Sequence, residues 1–199
     1  MVKKLIQKVS NLKNKLIDIS FYLLLILVGI TIILLMIKYG GNQVNERKLK
    51  KIINEAFNTE IVQDNDIEYN GYKIIGIIKI PKINLEYPIL EKTNNVSMDF
   101  SICRYWGGNV NEVGNLSLVG HNNKDGTMFG KTKMLELGDE IELMGLNDDS
   151  IKYIVYSVFN CMPEEISILE AEENIREVTL ITCINGNKER HIIKARADN

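Results

Sequence analysis

Thr179-Leu180-Ile181-Thr182-Cys183 (TLITC) is the stretch from which the rest of the chain is read, with Arg190 following seven residues after the cysteine. The run is apolar and β-branched, which reads as a buried strand. It ends on a thiol, and a guanidinium stands just beyond a short polar turn. A cysteine at the exit of a strand sits on a rigid support at the rim of a sheet, a sensible place for a nucleophile. The same residue type is also a common small core residue. On this stretch alone both readings stand, and the strand is the firmer of the two.

The 199 residues carry 24 Lys+Arg against 26 Asp+Glu, a net charge of −2. There is no basic excess of the kind nucleic-acid binding requires, so no nucleic-acid partner is expected. The three cysteines, Cys103, Cys161 and Cys183, are an odd number, so at least one stays outside any internal disulfide. No CxxC pair is present and the only histidines are His121 and His191, which argues against a zinc cluster. A Cys103–Cys161 bridge is compatible with a domain outside the cell; two unrelated thiols are the preferred reading.

Apolar residues are unevenly spread. Residues 1–18 hold five lysines and one acid, and Ile19 to Ile37 then runs without a charge. As a helix that run is roughly 28 Å long, close to a hydrocarbon core of about 30 Å. It is longer than a signal-peptide core and no small-x-small site follows, so an uncleaved signal anchor over 19–38 is expected. Flanking charge sets orientation weakly, since Lys38, Arg47, Lys48, Lys50 and Lys51 follow the span. Residues 39–70 read as linker, with helical spacing over Val44 to Phe57.

From residue 71 the pattern turns to strands. Ile74–Ile80, Leu85–Leu90, Asn115–Val119, Glu140–Leu143, Ile151–Phe159, Val178–Thr182 and Ile192–Ala195 are the expected strands, with Pro88 suggesting an edge or bulge. Met128–Leu137 is the one expected helix in this half. Seven or eight short strands separated by turn signals predict an all-β sandwich or barrel.

A thiol with an ordinary pKa near 8.5 needs a base or a cation beside it to attack at neutral pH. His121 lies where an apolar strand runs into Gly120-His121-Asn122, a strand end like that of Cys183. His191, at the head of an apolar strand, is the competitor and reads better as a packing or surface residue. Arg190 carries five donors in a fixed fork suited to an oxyanion or a substrate carbonyl; a solvated strand-end charge is its bland reading. The turn between Cys183 and Arg190 contains Gly186 and two flanking Asn.

The TLITC stretch resembles the TLxTC signature of the sortases, the cysteine transpeptidases of Gram-positive cell envelopes. Gly120-His121-Asn122 after its strand, Arg190 opening the last strand, and Ile77–Pro88 (IIKIPKINLEYP) are similar to the family as well, over roughly residues 74–197. The resemblance implies a closed eight-stranded β-barrel with one or two short helices, preceded by a transmembrane helix. It places residues 1–18 in the cytoplasm and the domain 71–199 outside the cell. By carry-over Cys183 is the nucleophile, His121 the general acid/base and Arg190 the stabiliser of the oxyanion, with Thr182 and Asn122 in the substrate-binding part of the site. The implied partners are the sorting-signal peptide of a surface protein, of LPxTG type, and an amine of a peptidoglycan precursor. No cofactor is expected. Calcium is known in some members, and Glu164, Glu165, Glu170, Glu172 and Glu173 offer oxygens, but a solvated acidic face is preferred.

The loop Gly120–Gly130 resembles class B sortases, which act on NPxTx motifs. The segment before TLITC is short and resembles classes A and D, which are preferred. A tethered β-domain that binds peptide without chemistry, and a peptidase that hydrolyses without transfer, are the alternatives.

Overall fold

The structure, a computed structural model, describes residues 15, 19–36, 67–146 and 150–198. The chain divides into two units, Met1–Lys48 and Leu49–Asn199. In the first, helix α1 (Ile19–Met36) is long and apolar enough to cross a membrane, and none of it is buried within the protein. The expected helix over Val44 to Phe57 lies outside the described residues.

The second unit is built of strands: β1 (Glu68–Tyr69), β2 (Tyr72–Ile80), β3 (Leu85–Leu90), β4 (Ile102–Trp106), β5 (Gly114–Val119), β6 (Glu140–Gly145), β7 (Ser150–Cys161), β8 (Arg176–Ile184) and β9 (Glu189–Ala197), with one short helix, α2 (Asn95–Phe100), between β3 and β4. The order is β1-β2-β3-β4-β5-β8-β9-β7-β6, and β6 pairs back onto β2 through Ile77↔Met144 and Ile78↔Leu143. The closed barrel therefore has eight strands, with β1 a short hairpin partner outside the ring. Closure leaves no edge exposed in the ring.

Period-two burial assigns the faces. Ile78, Ile80, Leu118, Leu180, Ile193 and Tyr153 fill the interior. Their neighbours Ile181 and Ile192 face outward, where they pack with Ile168 of the β7–β8 segment. This explains why β8 is buried on both faces and reads as a continuous apolar run.

Two expectations about local structure need correction. Of the two readings of Pro88, the edge is corrected and the bulge is found beside it: β3 pairs with β2 on one side and β4 on the other, and β2 carries a register shift between Ile74 and Gly76, opposite Leu90 and Ile89. The Pro88 carbonyl accepts from the Ser101 hydroxyl at 2.6 Å, on the side away from β2. A residue in a strand points its nitrogen the same way as its carbonyl. The missing N–H therefore falls where β4 has not yet begun, since its pairing starts at Ile89↔Ile102.

Met128–Leu137 is not a helix. It holds only the 3-10 turn Thr132–Met134, because its start is used to close the His121 loop: Phe129 N–H donates to His121 O at 3.0 Å and Met128 takes φ +49°. Among the described residues of this unit the helix that does form is α2, with Asn94 as its N-cap. The Asn94 side chain accepts from the Val96 and Ser97 amides at 2.9 Å each, and the Ser97 hydroxyl accepts from the Asn94 amide. This is a reciprocal capping box, and it starts a helix too short to hold itself by propensity.

Candidate active site

β5 and β8 are parallel neighbours, in register from Gly114↔Arg176 to Val119↔Ile181. The ladder continues one step past β5, with Gly120 N–H donating to Ile181 O at 3.3 Å. Carrying that register two residues beyond Val119 sets His121 level with Cys183. On the other side of β8, Cys183 pairs directly with Arg190 of β9. Strands lie about 4.8 Å apart, so three neighbouring residues in a row span about 10 Å. All three share the outward face, since Leu118, Leu180 and Ile193 point inward. Cys183 thus stands in the middle of the row, with His121 just past the end of β5 on one side and Arg190 of β9 on the other.

Further bonds tie the two loops together. The Thr182 hydroxyl donates to Gly120 O at 2.7 Å, with Thr182 buried. The Asn122 amide donates to Cys183 O at 2.9 Å. Thr182 and Asn122, expected in the substrate-binding part of the site, thus both join the histidine loop to the cysteine strand. Gly120 lies close-packed between them: a Cβ there would stand 3.0 Å from the Phe129 ring, which is buried in the barrel core and would have to give way. The loop beyond His121 folds on itself through an Asn122↔Met128 bridge and an Asp125 carboxylate that accepts from the amide and hydroxyl of Thr127.

The turn that carries Arg190 is tight, with Asn185, Gly186 and Asn187 all at positive φ. Asn and Gly are the residues that tolerate this region. Arg190 Nη1 donates to Asn187 O at 3.0 Å and to Glu189 O at 3.2 Å, which holds the guanidinium to its own turn.

The other cysteines are free thiols in different surroundings. Cys103 is fully buried, which pushes its pKa up. Cys161 pairs with Arg190 on the far side, at the end of β7. Burial and then the Glu165 carboxylate push its pKa up, against the Arg190 charge.

The two histidines also part company. His191 pairs with Thr182, one step along from Cys183, so it faces inward. Its Nδ1 lies 2.8 Å from Asn160 Oδ1. Burial holds its pKa below the ordinary range, opposed by the Thr132 backbone. His121 faces outward, and its Nε2 lies 3.5 Å from Asp99 Oδ1 of α2, with both side chains well exposed. Asp99 was not legible as a site residue, because α2 was not expected; the Asn94/Ser97 pair is the signal that marks the helix.

Of the glutamates considered for calcium, Glu165 accepts from the Ser167 amide and hydroxyl, and Glu172 pairs with Arg196. Among the described residues no group of three or more His, Cys, Asp or Glu side chains is arranged to hold a metal ion. A cleft of about 810 Å³ lies against β4, lined by residues 91–94 and 104–107; His121, Cys183 and Arg190 are not part of it.

Comparison with known proteins agrees with the sequence resemblance. The sortase domain family matches residues 78–198. Sortase A of Bacillus anthracis is 28% identical over 163 residues, covering 75% of this chain and 77% of that protein. Sortase D of Bacillus subtilis is 31% identical over 109 residues, covering 54% and 53% respectively. Among solved structures, the Clostridium perfringens sortase D5 transpeptidase is 25% identical with a TM-score of 0.63, covering 79% of this chain and 99% of that one. A lid mutant of sortase A from Corynebacterium diphtheriae shares the fold at 23% identity and a TM-score of 0.60, covering 64% and 72%. With the family matched over more than half of its length and an eight-stranded barrel of the same fold, the chain belongs to the sortase family.

Proposed function

We propose that the protein is a membrane-anchored sortase transpeptidase of the A/D type, acting on an LPxTG-type C-terminal sorting motif. The observation that carries this is the row of His121, just beyond β5, with Cys183 on β8 and Arg190 on β9, backed by membership of a transpeptidase family. The Cys183 thiolate attacks the carbonyl carbon of the motif's threonine. Arg190 donates hydrogen bonds to the oxyanion that forms. The C–N bond breaks, His121 gives a proton to the leaving amine, and a thioacyl-enzyme remains. An amine of a peptidoglycan precursor then attacks the thioester, His121 takes its proton, the C–S bond breaks, and the Cys183 thiolate is regenerated.

The A/D assignment is supported by the relatives and by the β7–β8 segment, whose only regular piece is one 3-10 turn, Ser167–Leu169. We place residues 1–18 in the cytoplasm, the anchor over 19–38 and the catalytic domain 71–199 outside. Tethering beside substrates that are themselves held in the membrane raises their effective concentration. No cofactor enters the reaction as written.

The test is to incubate the full chain in detergent with quenched peptides carrying LPxTG or NPxTx, with and without an oligoglycine acceptor. LPxTG cleavage with a transfer product when amine is present is the expected result. Cleavage of NPxTx alone overturns the A/D assignment. Hydrolysis that added amine never diverts overturns the transferase reading. No cleavage, with Cys183 unmodified by a thiol-directed vinyl sulfone, leaves a peptide-binding domain.

A further inference from the structure

The segment between β7 and β8, residues 162–175, has little structure of its own beyond the turn Ser167–Leu169. A connection of that kind stays loose unless groups outside it satisfy its backbone. Asn115 does this from β5. It is 4% exposed, and its side-chain nitrogen donates to Ile168 O at 2.9 Å and to Glu170 O at 3.1 Å. Its side-chain oxygen accepts from the Thr179 hydroxyl of β8 at 2.8 Å. A primary amide matches that set, with two N–H donors for two carbonyls and one acceptor for a hydroxyl. An aspartate would aim a buried charge at two carbonyl oxygens.

The turn held in this way packs Ile168 and Leu169 against Ile181 and Ile192. On the outward face, Ile181 is the residue next before Cys183, and Ile192 the one next after Arg190. The latched segment therefore stands as a wall beside the reactive row, with Met162 and Ile166 exposed on it.

We propose that Asn115 is a positioning residue for substrate: with Thr179 it latches the Ile168–Glu170 backbone, and so holds the β7–β8 segment as the wall on which a peptide bound at Cys183 rests. This rests on the transpeptidase reading above. Asn115 itself touches no substrate. It acts by fixing the wall before the peptide arrives, so the loop's ordering is not charged against binding.

The experiment compares the full chain with Asn115→Ala and with the nearly isosteric Thr179→Val, all in detergent micelles. Three readouts are taken: amide hydrogen exchange over residues 166–175, KM and kcat for the LPxTG peptide, and the rate of Cys183 alkylation by iodoacetamide. Asn115→Ala is expected to speed exchange in the segment and to raise KM about tenfold to a hundredfold, the scale on which a displaced positioning element acts. Both kcat and the alkylation rate should stay within about twofold, as for a loss of uniform binding. Thr179→Val, which keeps the two bonds to the loop, should shift exchange and KM in the same directions by less, and it serves if Asn115→Ala does not fold. Unchanged exchange, or faster exchange with unchanged KM, overturns the proposal. A wild-type chain that cleaves no sorting peptide overturns the transpeptidase reading instead; the exchange data still decide whether the latch exists.

Discussion

Cys183 and Arg190 are direct cross-strand partners at the turn end of the β8–β9 hairpin, held there by a turn with three consecutive residues at positive φ. Their juxtaposition is a property of register, so it is insensitive to surface change elsewhere. Arg190→Lys is expected to lower kcat by about 10²–10³, as for removal of an oxyanion donor, because a point charge does not reproduce the planar fork. Steady-state cleavage of the LPxTG peptide measures this. A loss below about threefold would remove Arg190 from the mechanism.

The three thiols should separate cleanly. Cys183→Ala is expected to abolish turnover, whereas Cys161→Ala and Cys103→Ala leave chemistry in place. Burial holds both of the latter as protonated thiols at neutral pH. Intact-mass and peptide mapping after brief vinyl sulfone treatment should find the adduct on Cys183. An adduct on Cys161, which also flanks Arg190, would reassign the nucleophile.

The histidines make a second discrimination. His121→Ala should eliminate transfer, and His191→Gln should keep most of it while altering stability. The folded state holds the His191 pKa below its unfolded value. Its neutral form is thus the one the fold favours. The stability it contributes is present above the unfolded pKa of about 6.5 and is lost as pH falls from there through the folded pKa, where the unfolded chain binds more protons. Thermal melts between pH 7.5 and 5 should show a falling Tm in the wild type and a shallower fall in His191→Gln. Equal slopes would assign the pH dependence to other groups.

The cap of α2 should matter to both stability and catalysis. Asn94→Ala removes two accepted amide hydrogen bonds at the helix start. A loss of about 1 kcal/mol is expected from urea denaturation. Since α2 carries Asp99 opposite His121, kcat should fall as well. A variant with lowered stability and unchanged kcat would mean that α2 does not orient His121.

Thr182→Val tests the strut between the two loops. It removes the donor to Gly120 O in a buried setting. The cost is expected at about 1–3 kcal/mol, the penalty for a buried acceptor left unpaired. Denaturation measures that cost, and a kcat loss alongside it would mark the strut as part of the His121–Cys183 alignment.

Much of this was legible from residues alone. The β-branched run ending on Cys183, the Gly120-His121-Asn122 strand exit and the charge-free segment from Ile19 each carry a local pattern, period two or continuous apolarity. The turn before Arg190 advertised itself through Asn185, Gly186 and Asn187. Two elements misled. ICRYW of β4 mixes polar and aromatic residues over five positions with a register shift between Arg104 and Trp106, so its alternation is broken. Met128–Leu137 spaces its apolar residues like a helix, yet Phe129 and Leu135 reach the core from a loop and a 3-10 turn.

What the sequence determined by itself is therefore what rests on neighbours along the chain: strand faces, the apolar span, and the residue types able to do thiol chemistry. Their relation in space was decided by tertiary structure. His121 and Cys183 stand level because β5 and β8, far apart along the chain, pair in parallel. Asp99 reaches His121 because α2 folds back between β3 and β4. Asn115 holds the β7–β8 segment because that segment crosses the outer face of β5 and β8. Parallel pairing and side-chain latches leave no periodic mark on a sequence. They come from closing the barrel, when every buried donor and acceptor must find a partner and distant strands are the ones that supply it.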